Sequence, residues 1–291
     1  MNARASDLLL TALAPAIWGS TYVVTTQFLA GIHPLTVATL RALPAGLLML
    51  ALVRQLPKGV WWARVLVLGA LNFSFFWAML FVSAYRLPGG VAATVGAVQP
   101  LIVIVLAHFV LGNAIRPVSI VAALAGLAGV ALLVLTPNAA LDPVGVAAGL
   151  AGAASMAFGT VLSRRWQPPV SPLTFTAWQL TAGGVLLLPF ALAFAPMPAS
   201  LSTANLLGLA WLGLVGAAFT YILWFRGVAR LEPSVVSSLG FLSPVTAVLL
   251  GWTFLNQVLT AAQIAGVALV IGGIWLGRAP VRPARRLAVQ A

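Results

Sequence analysis

Ten long apolar blocks, each closed by a short polar or Pro/Gly break, dominate the chain. They cover residues 8–30, 34–54, 63–84, 89–111, 117–135, 144–164, 172–194, 204–227, 234–256 and 260–277. A helix needs about 20 apolar residues to cross the ~30 Å hydrocarbon core of a bilayer. Only 6% of the 291 residues are charged and 62% are hydrophobic, whereas soluble domains carry about 25% charged residues. The blocks therefore predict an all-α integral membrane protein with ten transmembrane helices and the lipid bilayer as its solvent. The first block is too long for the apolar core of a signal peptide, and Gly, Trp, Thr and Gln interrupt it, so it is expected to be retained as a helix.

The net charge of +12 does not point to nucleic acid. The basic residues form no polar domain; they lie between the apolar blocks, as Lys and Arg do in membrane loops. The absence of cysteine removes disulfides, thiolate metal sites and thiol nucleophiles together. No metal and no cofactor is expected.

The chain repeats itself. "RLPGGVAATVGAVQP" (86–100) aligns without gaps to "RLEPSVVSSLGFLSP" (230–244), with Arg86/Arg230, Leu87/Leu231, Val91/Val235, Gly96/Gly240 and Pro100/Pro244 identical. "HPLTVATLRALPAG" (33–46) matches "SPLTFTAWQLTAGG" (171–184), and "WGST" (18–21) faces "FGTV" (158–161). The expected organisation is a first five-helix repeat over 1–138, a second over 139–278, and a basic tail over 279–291. Five is odd, so the second repeat must enter the membrane from the opposite side. Two inverted five-helix repeats are the usual frame of a secondary transporter.

Charge placement gives an independent expectation of orientation. With a cytoplasmic amino terminus, thirteen of the fifteen Lys and Arg residues fall in inner segments, Arg86 falls outside, and Arg41 lies within helix 2. Both termini are then cytoplasmic.

Helix count, repeat order, "WGSTYVV" in helix 1, "HPLTVATLRA" opening helix 2 and the twice-used segment before "QP" and "SP" resemble the EamA family of the drug/metabolite transporter superfamily. The chain is similar in this to amino-acid and metabolite exporters of the YddG type, over nearly its whole length. The resemblance implies a basket-shaped bundle around a central cavity, with helices 5 and 10 at the periphery. It also implies a multi-pass protein of the bacterial inner membrane. Such a protein would move a small organic metabolite, with amino acids first among the candidates and export the expected direction, by alternating access. A multidrug or cationic-compound exporter and a lipid flippase of the same architecture are the alternatives, and the chain would be a monomer or a weak homodimer. One departure stands out: many relatives have a Lys about eight residues after the helix 1 Trp, where this chain has Thr26.

Polar groups inside a bilayer concentrate at bundle interiors and cavities. Arg41, Asn72, Gln99, Thr160, Gln179 and Ser243 are on that ground candidates to line a substrate cavity. Trp18, Tyr22, Trp77, Trp178 and Tyr221 join them as aromatic candidates for an amphipathic organic substrate; interhelical packing is the alternative role for each. Arg41 lies seven residues past Pro34, about 10 Å along the helix. It can snorkel to the surface, pair with a carbonyl, or recognise a substrate carboxylate or phosphate.

Gly96 with Pro100, and Gly240 with Pro244, mark helix kinks at matching positions of the two repeats. Each Pro removes a donor and is expected to free the carbonyl of the Gly four residues earlier. These are candidate gating points, or else tolerated kinks. Enlarging either Gly to Leu is expected to stop transport without preventing insertion. The acids are Asp7, Asp142 and Glu232, all at helix ends or in loops. With no carboxylate in mid-membrane, facilitated diffusion or exchange is expected rather than proton coupling. His33 and His108 sit near opposite surfaces with no acid pair between them, so no catalytic residue and no enzymatic activity are expected.

Overall fold

The structure, a computed structural model, describes residues 3–87, 89–135, 142–196, 198, 200–254 and 258–277, with the backbone alone at 3, 22, 84, 85 and 89–91. The expected repeat junction at 138/139 and the basic tail over 279–291 lie outside the described residues. The described chain is helical and runs up and down ten times. The helices are α1 (Arg4–Phe28), α2 (Pro34–Val53), α3 (Trp61–Ser83), α4 (Ala92–Leu111), α5 (Pro117–Val134), α6 (Pro143–Arg165), α7 (Pro172–Phe194), α8 (Thr203–Arg230), α9 (Pro233–Phe254) and α10 (Ala261–Gly277). The first nine are long and apolar enough to span a bilayer, and α10 is shorter. The ten apolar blocks thus become ten helices, with ends displaced by up to four residues.

Local chemistry sets those ends. α2, α5, α6, α7 and α9 all open on a proline, whose missing N–H is one the first helical turn leaves unpaired anyway. His33 Nδ1, Asp142 and Ser171 each accept a backbone N–H of the first turn. Ser202 and Asn205 close a reciprocal capping box at the start of α8. Gly112, at φ +72°, ends α4 in the left-handed conformation.

Contacts confirm the up-and-down order. At one end of the bundle Asp7 of α1 pairs with Arg226 and Arg230 of α8, and Arg116 pairs with Glu232 at the start of α9. Arg164 and Gln167 reach the Val228 and Ala229 carbonyls there. At the other end Arg86 meets Asp142, and Asn205 donates to the Phe28 carbonyl.

The most extensive contacts join α5 to α10 and α2 to α7. α3 packs on α6, as α8 packs on α1, and α4 packs on α6, as α9 packs on α1. Small residues let these backbones touch. A Cβ on Gly129 of α5 would come within 2.8 Å of the Gly266 carbonyl of α10, and one on Gly266 within 2.7 Å of the Gly129 carbonyl. Backbone cannot rotate aside as a side chain can. Gly266→Val should therefore destabilise the protein by about 1–3 kcal/mol, read as a lower Tm in detergent; an unchanged Tm would show that this approach is not required.

Three helices are interrupted, and two more widen within their length. α1 breaks at Gly19, with one stretch ending at Trp18 and the next opening at Ser20. α4 breaks between Gly96 and Gln99, and α9 between Leu239 and Leu242. α3 and α8 each contain a π-helical segment, Ala70–Ser74 and Trp211–Phe219. α3 and α8 hold the same place in the two halves of the chain, so the two wide turns are counterparts.

Candidate substrate site

Arg41 turns into the bundle and does not snorkel. Its Nη2 donates to the carbonyl of Gly216 at 2.7 Å, inside the π segment of α8. Its guanidinium carbon lies 5.0 Å from the Trp77 ring centre, within cation–π range. Nε is buried and meets no acceptor among the described residues. The chain's three acidic side chains all pair with other arginines at the bundle ends. Among the described residues Arg41 therefore has a carbonyl and a ring for company, and no countercharge.

A hydrogen-bonded chain leads from Arg41 to helix α1. Gly216 O also accepts Thr220 Oγ1 at 2.9 Å, a double load that a carbonyl with two lone pairs can carry. Thr220 Oγ1 in turn accepts Trp18 Nε1 at 2.9 Å. The aromatic rings close the circuit. Trp18 lies 5.0 Å from Tyr221 and 5.1 Å from Trp224, Tyr221 lies 4.6 Å from Phe73, and Phe73 lies 5.5 Å from Trp77. These separations are those of favourable tilted and edge-on pairs. Trp18 and Arg41 are half-buried, while Phe73, Trp77, Tyr221 and Trp224 are buried. Trp224 Nε1 has no acceptor among the described residues. α1, α2, α3 and α8 together thus hold one cation against a continuous aromatic wall.

The wall continues toward the arginine-rich end through Phe225, Phe175, Trp61 and Trp178, with ring separations between 5.5 and 6.4 Å. Trp178 belongs to this far limb. It donates to the Gln55 carbonyl at 2.6 Å and packs with Val65, away from Arg41.

Asn72, Gln179 and Thr160 are fully buried. Asn72 Nδ2 donates to Gln179 Oε1 at 2.8 Å and to Ser163 Oγ at 3.3 Å. This knot ties α3 to α6 and α7. Gly159 is the floor beneath it, since any Cβ there would overlap the Asn72 amide. Thr160 spends its hydroxyl on the Met156 carbonyl of its own helix. The three are packing groups in this conformation rather than surfaces open to a solute. Tyr22 lies on α1, but its side chain is outside the described residues.

Gln99 is half-buried directly after the α4 break, and its Nε2 meets no acceptor among the described residues. Ser243 lies just after the α9 break, where its N–H donates to Gly240 O at 3.1 Å. This corrects the expectation that Pro244 leaves the Gly240 carbonyl free: the chain tightens by one residue and the Ser243 amide takes it up. Pro100 is buried and Pro244 half-buried. Among the described residues a Cβ on Gly96 would meet nothing within 4 Å, so a larger side chain there has space in this conformation. Gly240 is tighter, with the Ser237 carbonyl 3.0 Å from such a Cβ. The crowded glycine is instead Gly19, which packs directly against Ser243, Thr246 and Ala247 of α9. The breaks of α1 and α9 therefore meet.

Sequence reasoning did not anticipate the π segments, the Gly216 carbonyl or the pairing of Asn72 with Gln179. The one visible signal for the second was the "GLVG" pair of glycines before Thr220. Among the described residues no three His, Asp or Glu side chains gather as metal ligands would.

Nine helices long and apolar enough to cross a bilayer, with a shorter tenth, make this a multi-pass membrane protein. The chain belongs to the EamA-like transporter family, whose pattern it matches twice, over residues 6–135 and 143–277. It is 45% identical to the protein PecM of Dickeya dadantii over 90% of this chain and 88% of that one. It is 28% identical to the uncharacterized inner membrane transporter YedA of Escherichia coli K12, over 89% and 86% of the two chains. A crystal structure of a protein 22% identical shares the fold, with a TM-score of 0.80 over 94% of this chain and 97% of that one.

Proposed function

We propose that the protein is a secondary transporter that exports amino acids or related small metabolites across the bacterial inner membrane, with both termini cytoplasmic. The aromatic wall around Trp18 and Tyr221 carries this reading. Most of its rings are buried against one another in this conformation; once parted in a transport cycle, they would give a planar, amphipathic solute ring contacts and hydrogen-bonding groups deep in an apolar bundle. The inner-membrane placement is supported by the likeness to YedA, an inner membrane transporter. Two halves, 1–138 and 139–278, rocking about this site by alternating access are supported by the double family match and by the paired helix contacts. The cation of Arg41 weighs against the alternative of a cationic-drug exporter.

Radiolabel counterflow in proteoliposomes tests the reading. Amino acids should exchange, while nucleosides, sugars, cationic dyes and labelled lipid should not; exchange confined to any of the latter would replace it. Flux should also proceed without an imposed pH gradient, because Asp7, Asp142 and Glu232 all lie at the bundle ends in ion pairs. An absolute need for that gradient, at every substrate gradient tried, would show proton coupling by another group.

A further inference from the structure

We infer that the cavity at the arginine-rich end of the bundle binds the headgroup of an anionic phospholipid, with its phosphate held between Arg4 of α1 and Arg230 of α8. The inference rests on the membrane placement of the bundle and not on what the protein transports.

Three observations carry it. First, that end of the bundle holds a recess of about 420 Å³, lined by Arg4, Asp7, Arg230, Leu231, Glu232 and Val235. The volume is that of a small-molecule pocket, and Leu231 and Val235 give it an apolar side for the carbon part of a lipid. Second, its charge does not balance. Asp7 Oδ1 lies 2.7 Å from Arg226 and 3.3 Å from Arg230, and Glu232 pairs with Arg116. The remaining acid of the chain, Asp142, is at the opposite end with Arg86. Asp7 and Glu232 thus face Arg4, Arg116, Arg226 and Arg230, which leaves an excess of positive charge. Arg230 reaches Asp7 only at the long distance of 3.3 Å, and its side chain stays 55% exposed. A guanidinium fork so placed can take a phosphate oxygen. Third, the depth is right. Arg4 opens the α1 span and Arg230 closes the α8 span, so both stand where an apolar helix meets the headgroups. Basic pockets between helices at that level recognise anionic lipid headgroups. A phosphate held by both arginines would tie α1 to α8, one from each half of the chain, and so strengthen the closure of that end.

Ion pairing alone, with these arginines serving only Asp7 and Glu232, is the competing account, and lipid charge separates the two. Delipidated protein in dodecyl maltoside is titrated with phosphatidylglycerol, phosphatidylcholine or soluble glycerol phosphate, with native mass spectrometry and Tm as readouts. Phosphatidylglycerol should bind and raise the Tm, and phosphatidylcholine with the same acyl chains should do neither. In Arg4→Gln/Arg230→Gln the phosphatidylglycerol affinity should fall about 10-fold to 100-fold, as expected for loss of charge-assisted hydrogen bonds. Arg86→Gln removes a comparably exposed arginine at the other end and should leave that affinity unchanged. Equal responses to the two lipids, or an equal loss in Arg86→Gln, overturn the inference. Glycerol phosphate matching phosphatidylglycerol at the same concentration overturns the lipid assignment in favour of a free anion. If the double variant does not fold, photoactivatable phosphatidylglycerol on the wild-type protein decides. Labelling of the segments around Arg4 and Leu231–Val235 supports the inference, and labelling confined to other segments overturns it.

Discussion

Asn72→Leu is expected to destabilise the protein by about 2 kcal/mol, because it orphans a buried amide as well as deleting a bond. Interhelical hydrogen bonds in membranes average only about 0.6 kcal/mol by double-mutant cycles, so loss of the bond alone would be a small effect. The larger figure follows from what remains. Gln179 is fully buried, and its Nε2 already has no acceptor among the described residues. Losing Asn72 would leave its Oε1 unpaired too. The double substitution Asn72→Leu/Gln179→Met removes both ends and should recover most of the lost stability. Thermal unfolding in detergent of the two singles and the double supplies the cycle. Strict additivity would mean that the two amides do not depend on one another.

Gly19→Leu should abolish transport while leaving membrane insertion intact. Insertion depends on the length and apolarity of the segment, which a leucine only strengthens. Packing is different. A Cβ at Gly19 would lie 2.6 Å from the Ser243 carbonyl and 2.9 Å from the Ala247 nitrogen, both backbone atoms of α9. Even alanine needs α1 and α9 to separate, and the separation falls where both helices are interrupted. Gly96→Leu is the contrasting case: with nothing within 4 Å of its Cβ, that variant should fold and keep a wild-type Tm. Flux per inserted molecule, with size-exclusion profiles as the fold control, tests both. Wild-type flux in Gly19→Leu would remove the contact between the breaks from the transport cycle.

Much of the fold was legible in the sequence, because a bilayer demands long apolar segments and tolerates few charges. Helix starts were legible as well, since prolines at 34, 117, 143, 172 and 233 fit only the first turn of a helix. The interior was harder. Arg41, Asn72, Gln99 and Gln179 look alike to a reading that can say only that polar groups face inward. What separates them is whether a partner is in reach, and Asn72 finds its own more than a hundred residues away. The direction of Arg41 was undetermined for the same reason: snorkelling, carbonyl pairing and ligand recognition all satisfy a guanidinium. The crowding at Gly19 and the room at Gly96 depend on which helix lies opposite, and no local pattern contains that.

The π segments of α3 and α8 have a consequence for how such a site can change over evolution. An α-helix turns about 100° per residue, and a π turn accommodates an extra residue without breaking the helix. The residues beyond each segment therefore face a direction that an unbroken α-helix of the same length would not give them. In α8 those residues include Thr220, Tyr221 and Trp224; in α3 they include Trp77. Closing Trp211–Phe219 into a regular α-helix with no residue removed would turn everything that follows by about 100°. Thr220 and Tyr221 would then swing away from Trp18, with the lipid-facing pattern of the preceding turns undisturbed. Losing one residue together with the wide turn would instead leave Thr220 and Tyr221 in place, so relatives one residue shorter in this helix can keep the same interior, a correspondence that position-by-position counting would overlook.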